Sequence, residues 1–347
     1  MEWLSPLEAF AFETHGFVVL EGVVSARDLA EMNAWLDANP ERAHTRSPEQ
    51  MLDGRANAYH TFTDPSDERY TGSVPAPRLT GSEGRKDFGG FFSPDSWSDP
   101  STRAFRDLIA NPALVRWMLA TIGDEFRWDS GGGIIQPQGS EGFVLHGRGA
   151  SRRPSGSKGS SRAPSSWYRL EGGRFTNGLM ACNIALTDVG PGDGGFCCIP
   201  GSHKAQLRPP LSVRRLDTDI GMVTQIPMKA GSVCIFTEAL THGTLPWRNA
   251  AERRCLIYRY NPAFLVGGPG TTQAQADALA QIPEQYLTPL QRALMEPAWV
   301  GGAPPGEEGG RPDIGALCAA LPGGLPDGDD EEEAESRAVA LYTIGRL

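Results

Sequence analysis

The sequence lacks several features that would assign it to a class directly. It has no apolar run of 18 or more residues, which argues against a transmembrane helix and a membrane partner. No basic stretch precedes an apolar one at its start, so we expect no secretory signal and an intracellular, cytoplasmic protein. Residues 345–347 resemble a peroxisomal address only weakly. The absence of G-x-S-x-G, P-loop and H-E-x-x-H motifs removes three common kinds of enzyme.

Cysteine and basic charge are also scarce. The six cysteines form no C-x-x-C pair and most lie in apolar segments, so we expect buried, reduced thiols. The chain has 32 basic and 42 acidic residues, a net charge of −10, and many of the acids fall within residues 327–335. The remainder is nearly neutral, so no basic field is present to hold a nucleic acid. We expect the acidic run to be a disordered tail.

The composition favours a turn-rich β protein. Hydrophobic residues make up 39% of the 347, enough for a core, and the 42 glycines and 28 prolines favour turns. Helices are predicted at residues 26–38, 101–122 and 288–294, the second divided at the step from Asn111 to Pro112. Strands are predicted at residues 16–20, 132–136, 142–146, 179–189, 195–199, 222–226, 232–244 and 254–260. Their short spacing indicates a sandwich or barrel.

Two polar segments interrupt this pattern. Residues 40–100 are rich in proline, glycine, serine and aspartate, and we expect loops that cross a surface. Residues 147–164 contain five cations, no acid and mostly glycine, serine and proline. A disordered loop explains this composition, and so does a mobile lid that closes over an anionic small-molecule substrate.

Six histidines are few enough to compare individually. His146 and His242 each close a strand-like apolar run and are each followed at once by glycine. Two neutral imidazoles brought from opposite walls of a barrel are the minimum of a mononuclear iron site. Thr244 follows His242 by two residues and Arg253 by eleven. An arginine there is suited to bind a carboxylate through two parallel hydrogen bonds, and a nearby hydroxyl can add one more donor.

Several motifs occur in a recognisable order. They are GFVVLEGV at 16–23, LTDV at 186–189, DGGFCCIPGSHK at 193–204, KAGSVCIF at 229–236, HGT at 242–244 and the arginines at 253–254. Together they resemble the phytanoyl-CoA dioxygenase family of non-haem Fe(II)- and 2-oxoglutarate-dependent oxygenases. The resemblance extends from about residue 16 to residue 262.

The resemblance implies a mainly β fold with flanking helices, a double-stranded β-helix (jelly roll, cupin-like) over residues 1–264. Residues 265–347 would form a partly helical C-terminal extension that ends in the acidic tail. The implied cofactors are Fe(II), with His146 and His242 as ligands, and 2-oxoglutarate, bound by Arg253 with Thr244 in support. Arg254 is the alternative if the register differs by one residue. The implied reaction is hydroxylation of a small or lipid-like molecule.

One position departs from the family pattern. The family carries His-x-Asp or His-x-Glu at the proximal ligand, whereas Arg148 stands two residues after His146 here. Another acid could complete the site, with candidates at Asp188, Asp193 and Glu238. Glu238 could do so only if its strand bends, because four strand residues span roughly 13 Å. Alternatively, the iron keeps two histidines, as in halogenase-like relatives, or catalysis is lost and the barrel only binds a ligand.

Overall fold

Short strands of β-branched and aromatic residues pair into antiparallel sheets in the computed structural model of the chain. The structure describes residues 3–45, 76–147, 166–207, 209–218, 220–265, 271–298, 306 and 310–320. The strands are β1 Phe17–Leu20, β2 Ala43–Thr45, β3 Lys86–Phe88, β4 Phe126–Gln136, β5 Phe143–His146, β6 Tyr168–Glu171, β7 Arg174–Asn177, β8 Met180–Ala185, β9 Gly195–Cys198, β10 Thr224–Gln225, β11 Val233–Thr237, β12 His242–Leu245 and β13 Arg253–Pro262.

Two of the sheets face each other and form the predicted jelly roll. The larger has the order β1-β11-β8-β13-β4-β3-β2 and the smaller the order β10-β9-β12-β5, while β6 and β7 form a separate hairpin. All the strand pairs are antiparallel. Phe17, Phe196 and Phe236 belong to an apolar cluster contributed by both sheets. The two sheets therefore enclose a core of their own.

Helices other than the short one at residues 211–214, which packs against β5 of the smaller sheet, cover the outer face of the larger sheet. They are α1 Pro6–His15, α2 Ala26–Ala38, α3 Arg103–Asp107, α4 Pro112–Thr121, α5 Leu211–Arg214, α6 Thr271–Ala280, α7 Pro289–Met295 and α8 Ile314–Ala319. The main core cluster joins Met32 and Trp117 from the helices to Leu256 and Tyr258 of β13. Because side chains alternate along a strand, β13 directs its odd-numbered residues to the opposite, inter-sheet face.

Several local predictions agree with the structure. Helix α2 has the predicted bounds, 26–38, and the side chain of Ser25 caps it by accepting from the backbone N–H of Asp28. Asn111 divides the second predicted helix, because its side chain caps α4 and Pro112 opens that helix. All six cysteines are buried and free.

Two local predictions are wrong. The single strand expected over residues 232–244 is two strands, β11 and β12, which belong to different sheets and are joined by a turn. Residues 40–100 are not only surface loops, because Phe88, Phe91 and Trp97 lie in the main core. Small and polar residues surround these aromatics in the sequence, so no local apolar pattern indicated that they are buried.

The C-terminal helices α7 and α8 also contribute to the main core, through residues such as Leu294 and Ile314. The division at residue 264 stays a prediction. The basic segment beyond Gly147 and the acidic run at 327–335 lie outside the described residues. Among the helices that are described, none has the length and apolar character needed to span a bilayer.

Candidate metal and cosubstrate site

The two predicted histidines lie side by side although 95 residues separate them in the sequence. His146 ends β5 and His242 begins β12, and the two are direct partners in the antiparallel ladder. Their ring centroids are 4.2 Å apart. Partners across an antiparallel ladder direct their side chains to the same face, so both imidazoles share one surface of the small sheet.

Each imidazole is oriented by the same local hydrogen bond. The Nδ1 of His146 lies 2.9 Å from the carbonyl oxygen of Val144, and the Nδ1 of His242 lies 2.7 Å from that of Leu240. A carbonyl can only accept, so each Nδ1 carries the proton and donates. In each ring the lone pair then lies on Nε2, which is the nitrogen that would ligate a metal.

Glu238 joins the two histidines. One ligand atom from each of His146, Glu238 and His242 can be chosen so that all lie within 4.8 Å of one another. The Oε2 of Glu238 is 3.5 Å from the Nε2 of His242. This approach is possible because residues 238–241 form a turn between the two sheets and not a continuous strand. The bend required for Glu238 to reach the site is therefore present.

Arg259 holds the other oxygen of this carboxylate. Its Nε donates to Oε1 of Glu238 at 3.1 Å. Burial raises the pKa of the Glu238 carboxyl, but the charges of His242 and Arg259 and this hydrogen bond outweigh burial, so the pKa lies below its usual range. Burial lowers the pKa of His242. Above the lowered pKa values of both groups, the carboxylate is ionised and the imidazole is neutral, which is the state that ligates a divalent metal.

Arg253 lies buried on the inter-sheet face of β13, with 3% of its surface exposed. Its Nη1 donates to Oε1 of Gln136 at 2.6 Å, and its buried Nε has no hydrogen-bond partner. Arg254 has the opposite orientation and pairs with Asp37 and Glu252 at the surface. Of the two arginines considered from the sequence, Arg253 alone projects between the sheets with donor capacity to spare.

Thr244 of β12 and Arg253 of β13 are both neighbours of strand β9. A Cβ placed on Gly195 of β9 would lie 3.0 Å from the Nε of Arg253, so the guanidinium crosses that glycine closely. Thr244 is the ladder partner of Phe196, the next residue of β9. Thr244 and the guanidinium of Arg253 thus lie beside adjacent residues of β9, which pair with β12 two and three residues after His242.

A cavity of about 280 Å³ reaches Arg259, whose Nε donates to Glu238. Arg259, the partner of Glu238, lines it together with Arg85, Asp87, Ser130 and Ile257. A larger cavity of about 710 Å³ includes Leu245 and Val223 in its lining, and neither lining contains His146, His242, Glu238 or Arg253. Leu245 is three residues from His242 in β12 and therefore faces the opposite side of that strand, whereas Arg259 links the smaller cavity to Glu238.

Other residues considered from the sequence have local roles. Asp188 accepts from the backbone of Ala230, and Asp193 accepts from the backbone of Gly190 and the side chain of Asn249. Arg148 lies outside the described residues. Arg259 was missed by the sequence analysis, although its spacing from Arg253 places both on the same face of a strand and could have revealed it.

Comparisons with known proteins agree with this architecture. The family model described as phytanoyl-CoA dioxygenase (PhyH) matches residues 161–255, which confirms the resemblance over that part of the chain. HygX from Streptomyces hygroscopicus, solved with nickel, 2-oxoglutarate and hygromycin B, is 22% identical. The match covers 75% of this chain and 88% of HygX, with a TM-score of 0.53. Iron-bound HygX matches the same shares at 20% identity and a TM-score of 0.52. No curated protein matches the sequence.

The fold is therefore that of the jelly-roll oxygenases that use iron and 2-oxoglutarate. The similarity to HygX establishes this fold and leaves the roles of individual side chains as predictions.

Proposed function

We propose that the protein is an Fe(II)- and 2-oxoglutarate-dependent oxygenase that oxidises a small polar molecule. The observation that carries the proposal is the pairing of His146 with His242 across the small sheet, with both Nδ1 atoms bonded to backbone carbonyls. A histidine with a purely structural role needs only hydrogen-bond partners for its own ring. Two adjacent imidazoles that are oriented in the same way are suited to bind one metal ion together. HygX, which has this fold, was solved with iron and with nickel and 2-oxoglutarate.

The donor set fits ferrous iron. Imidazole nitrogen and carboxylate oxygen are the ligands of non-haem Fe(II) oxygenases. None of the six buried cysteines belongs to the histidine–glutamate cluster, so no soft thiolate ligand competes there. When bound, iron and 2-oxoglutarate would supply the oxygen activation that the side chains cannot provide.

Arg253 fits the distal carboxylate of 2-oxoglutarate. Its guanidinium is buried, positively charged and retains an unpartnered Nε, a combination that costs free energy unless an anion is bound. Thr244 lies at the neighbouring ladder position and would donate its hydroxyl to the same carboxylate. In this arrangement the chain binds and orients the cosubstrate between β12 and β13.

The cavity beside Arg259 is the proposed substrate site. It has a volume of about 280 Å³ and combines the charged Arg85, Asp87 and Arg259 with the hydroxyl of Ser130. Gly132 contributes no side chain, and a Cβ there would meet nothing closer than 3.7 Å. Such a lining suits a small molecule that bears hydroxyl or ionic groups, and we propose hydroxylation of one of its C–H bonds.

The experiment is an anaerobic titration with Fe(II), followed by measurement of succinate formed from 2-oxoglutarate after oxygen is admitted. The parent should bind one equivalent of metal and form succinate above background, and His242→Ala should lose both. His15→Ala is the control, because His15 bonds to a carbonyl of its own helix and does not belong to the cluster. If His242→Ala binds metal like the parent, the site is misplaced. Metal and cosubstrate binding without succinate would instead indicate a protein that only binds.

A further inference from the structure

We propose that Glu238 is the third metal ligand and replaces the carboxylate that the family carries two residues after the proximal histidine. The inference rests on the proposed function and concerns this chain's own departure from the family pattern. The carboxylate would then come from the turn before the distal histidine, so that one short segment, 238–242, supplies two of the three ligands.

The distances suit one metal ion. Ligand atoms about 2.1 Å from a metal are about 3 Å apart when adjacent in an octahedral shell. The Oε2 of Glu238 and the Nε2 of His242 are 3.5 Å apart, close to that value. All three ligand atoms lie within 4.8 Å of one another, a separation that small side-chain rotations can close.

The orientation of the carboxylate also suits a ligand. Arg259 occupies Oε1, which leaves Oε2 directed towards His242. The backbone N–H of Glu238 donates to the carbonyl of Leu179 at 2.9 Å, and this bond fixes the start of the turn. Metal-ligating carboxylates are commonly held in this way by a hydrogen bond to their second oxygen.

The backbone beside His146 explains why the carboxylate comes from this turn. Strand β5 ends at His146, and Gly147 follows with φ +149°. A Cβ on Gly147 would lie 2.2 Å from the carbonyl oxygen of Leu240, which belongs to the turn that carries Glu238. The turn therefore packs against the chain immediately after His146, next to the position where the family pattern would continue with its own acid.

This arrangement bears on the alternatives that the sequence left open. The halogenase-like alternative and the loss of catalysis both depended on a metal site without a carboxylate. With Glu238 in the third position, the chain has two imidazoles and one carboxylate, the complement of a facial triad. Arg148 then needs no role at the metal.

The test compares metal affinity among variants, measured by anaerobic calorimetric titration with Mn(II), with the metal-induced shift in Tm as a second readout. Glu238→Gln should weaken Mn(II) binding by about 100-fold or more, since loss of a partner that only orients a ligand costs about 10–100-fold. Arg259→Met retains the carboxylate and should fall within that smaller range. The double variant Glu238→Gln/Arg259→Met removes the charged pair together, which limits the folding cost, and should bind as weakly as Glu238→Gln.

Glu8→Gln is the matched control. Glu8 is also a buried carboxylate paired with an arginine, Arg116, at 2.6 Å, but it belongs to α1 and not to the cluster. It should lose stability and keep the parent's Mn(II) affinity.

Parent-like affinity in Glu238→Gln, with binding lost in His242→Ala, would overturn this inference and leave the proposed function intact. Equal losses of Mn(II) affinity in Glu238→Gln and Arg259→Met would also overturn it, because Glu238 would then affect metal binding only by orienting another ligand. Parent-like binding in His242→Ala would contradict the proposed function itself.

Discussion

Arg253 offers a sharp test of the cosubstrate site, because Arg254 provides a matched control one residue away. Arg253→Met removes the guanidinium and keeps most of the apolar stem. If the guanidinium binds 2-oxoglutarate through two charge-assisted hydrogen bonds, each contributes roughly 1.5–3 kcal/mol. The loss is then at least about 3 kcal/mol, which corresponds to roughly a hundredfold weaker affinity.

The same substitution has a structural cost that must be measured separately. Gln136 is fully buried and accepts from Arg253 at 2.6 Å, so Arg253→Met leaves an unpaired acceptor at a cost of roughly 1–3 kcal/mol in unfolding free energy. Gln136→Met breaks this hydrogen bond from the other side and keeps the guanidinium. We expect it to lower stability without the hundredfold loss of cosubstrate affinity.

The assay is calorimetric titration of 2-oxoglutarate into Mn(II)-loaded protein without oxygen, with urea unfolding of each variant alongside. Arg254→Met should bind like the parent and lose less than about 1 kcal/mol, because its partner Asp37 is largely exposed. Parent-like affinity in Arg253→Met would refute the reasoning. A hundredfold loss in Arg254→Met would do so as well, and would move the site by one residue.

Two further predictions concern stability and use urea unfolding. Gly133→Ala should cost about 1–3 kcal/mol in unfolding free energy, because its Cβ would lie 1.9 Å from the ring of Phe88. Gly132→Ala should be nearly neutral, because its Cβ would meet nothing closer than 3.7 Å, and equal effects of the two substitutions would contradict the packing of Phe88 on Gly133. Glu8→Gln should cost about 3–5 kcal/mol, because it leaves the buried guanidinium of Arg116 without its charged partner; a loss below about 1 kcal/mol would contradict this.

Elements with strong local signals could be predicted from the sequence. Helix α2 has the bounds predicted from the sequence, 26–38, and β1 and β9 agree with their predicted ranges within one residue. Helix α1 was missed, although Ser5, Pro6 and Glu8 form a capping box with proline in the first turn, a pattern that marks a helix start. The helix-start pattern was present in the sequence. It was overlooked because apolar and polar residues are not clearly separated onto opposite faces of this helix.

The division of residues 232–244 could not be predicted from local sequence. Its residues are apolar or β-branched almost throughout, so strand propensity continues across the turn. The chain changes sheets at 238–241 because β11 pairs with β1 and β8, whereas β12 pairs with β5 and β9. The position of the break is therefore set by the strands with which each half pairs. No periodicity of apolar residues within the segment indicates it.

The turn at 238–241 also explains why part of the candidate site could be predicted from the sequence and part could not. His146 and His242 could be selected because each closes an apolar run before a glycine, a property of the local sequence. Glu238 could be named only conditionally, since in a continuous strand it would lie roughly 13 Å from His242. The turn brings its Oε2 to 3.5 Å from the imidazole Nε2, and Arg259, from a third strand, orients it. A proposed ligand whose placement depends on a change of sheet can therefore be recognised only once the pairing of all the strands is known.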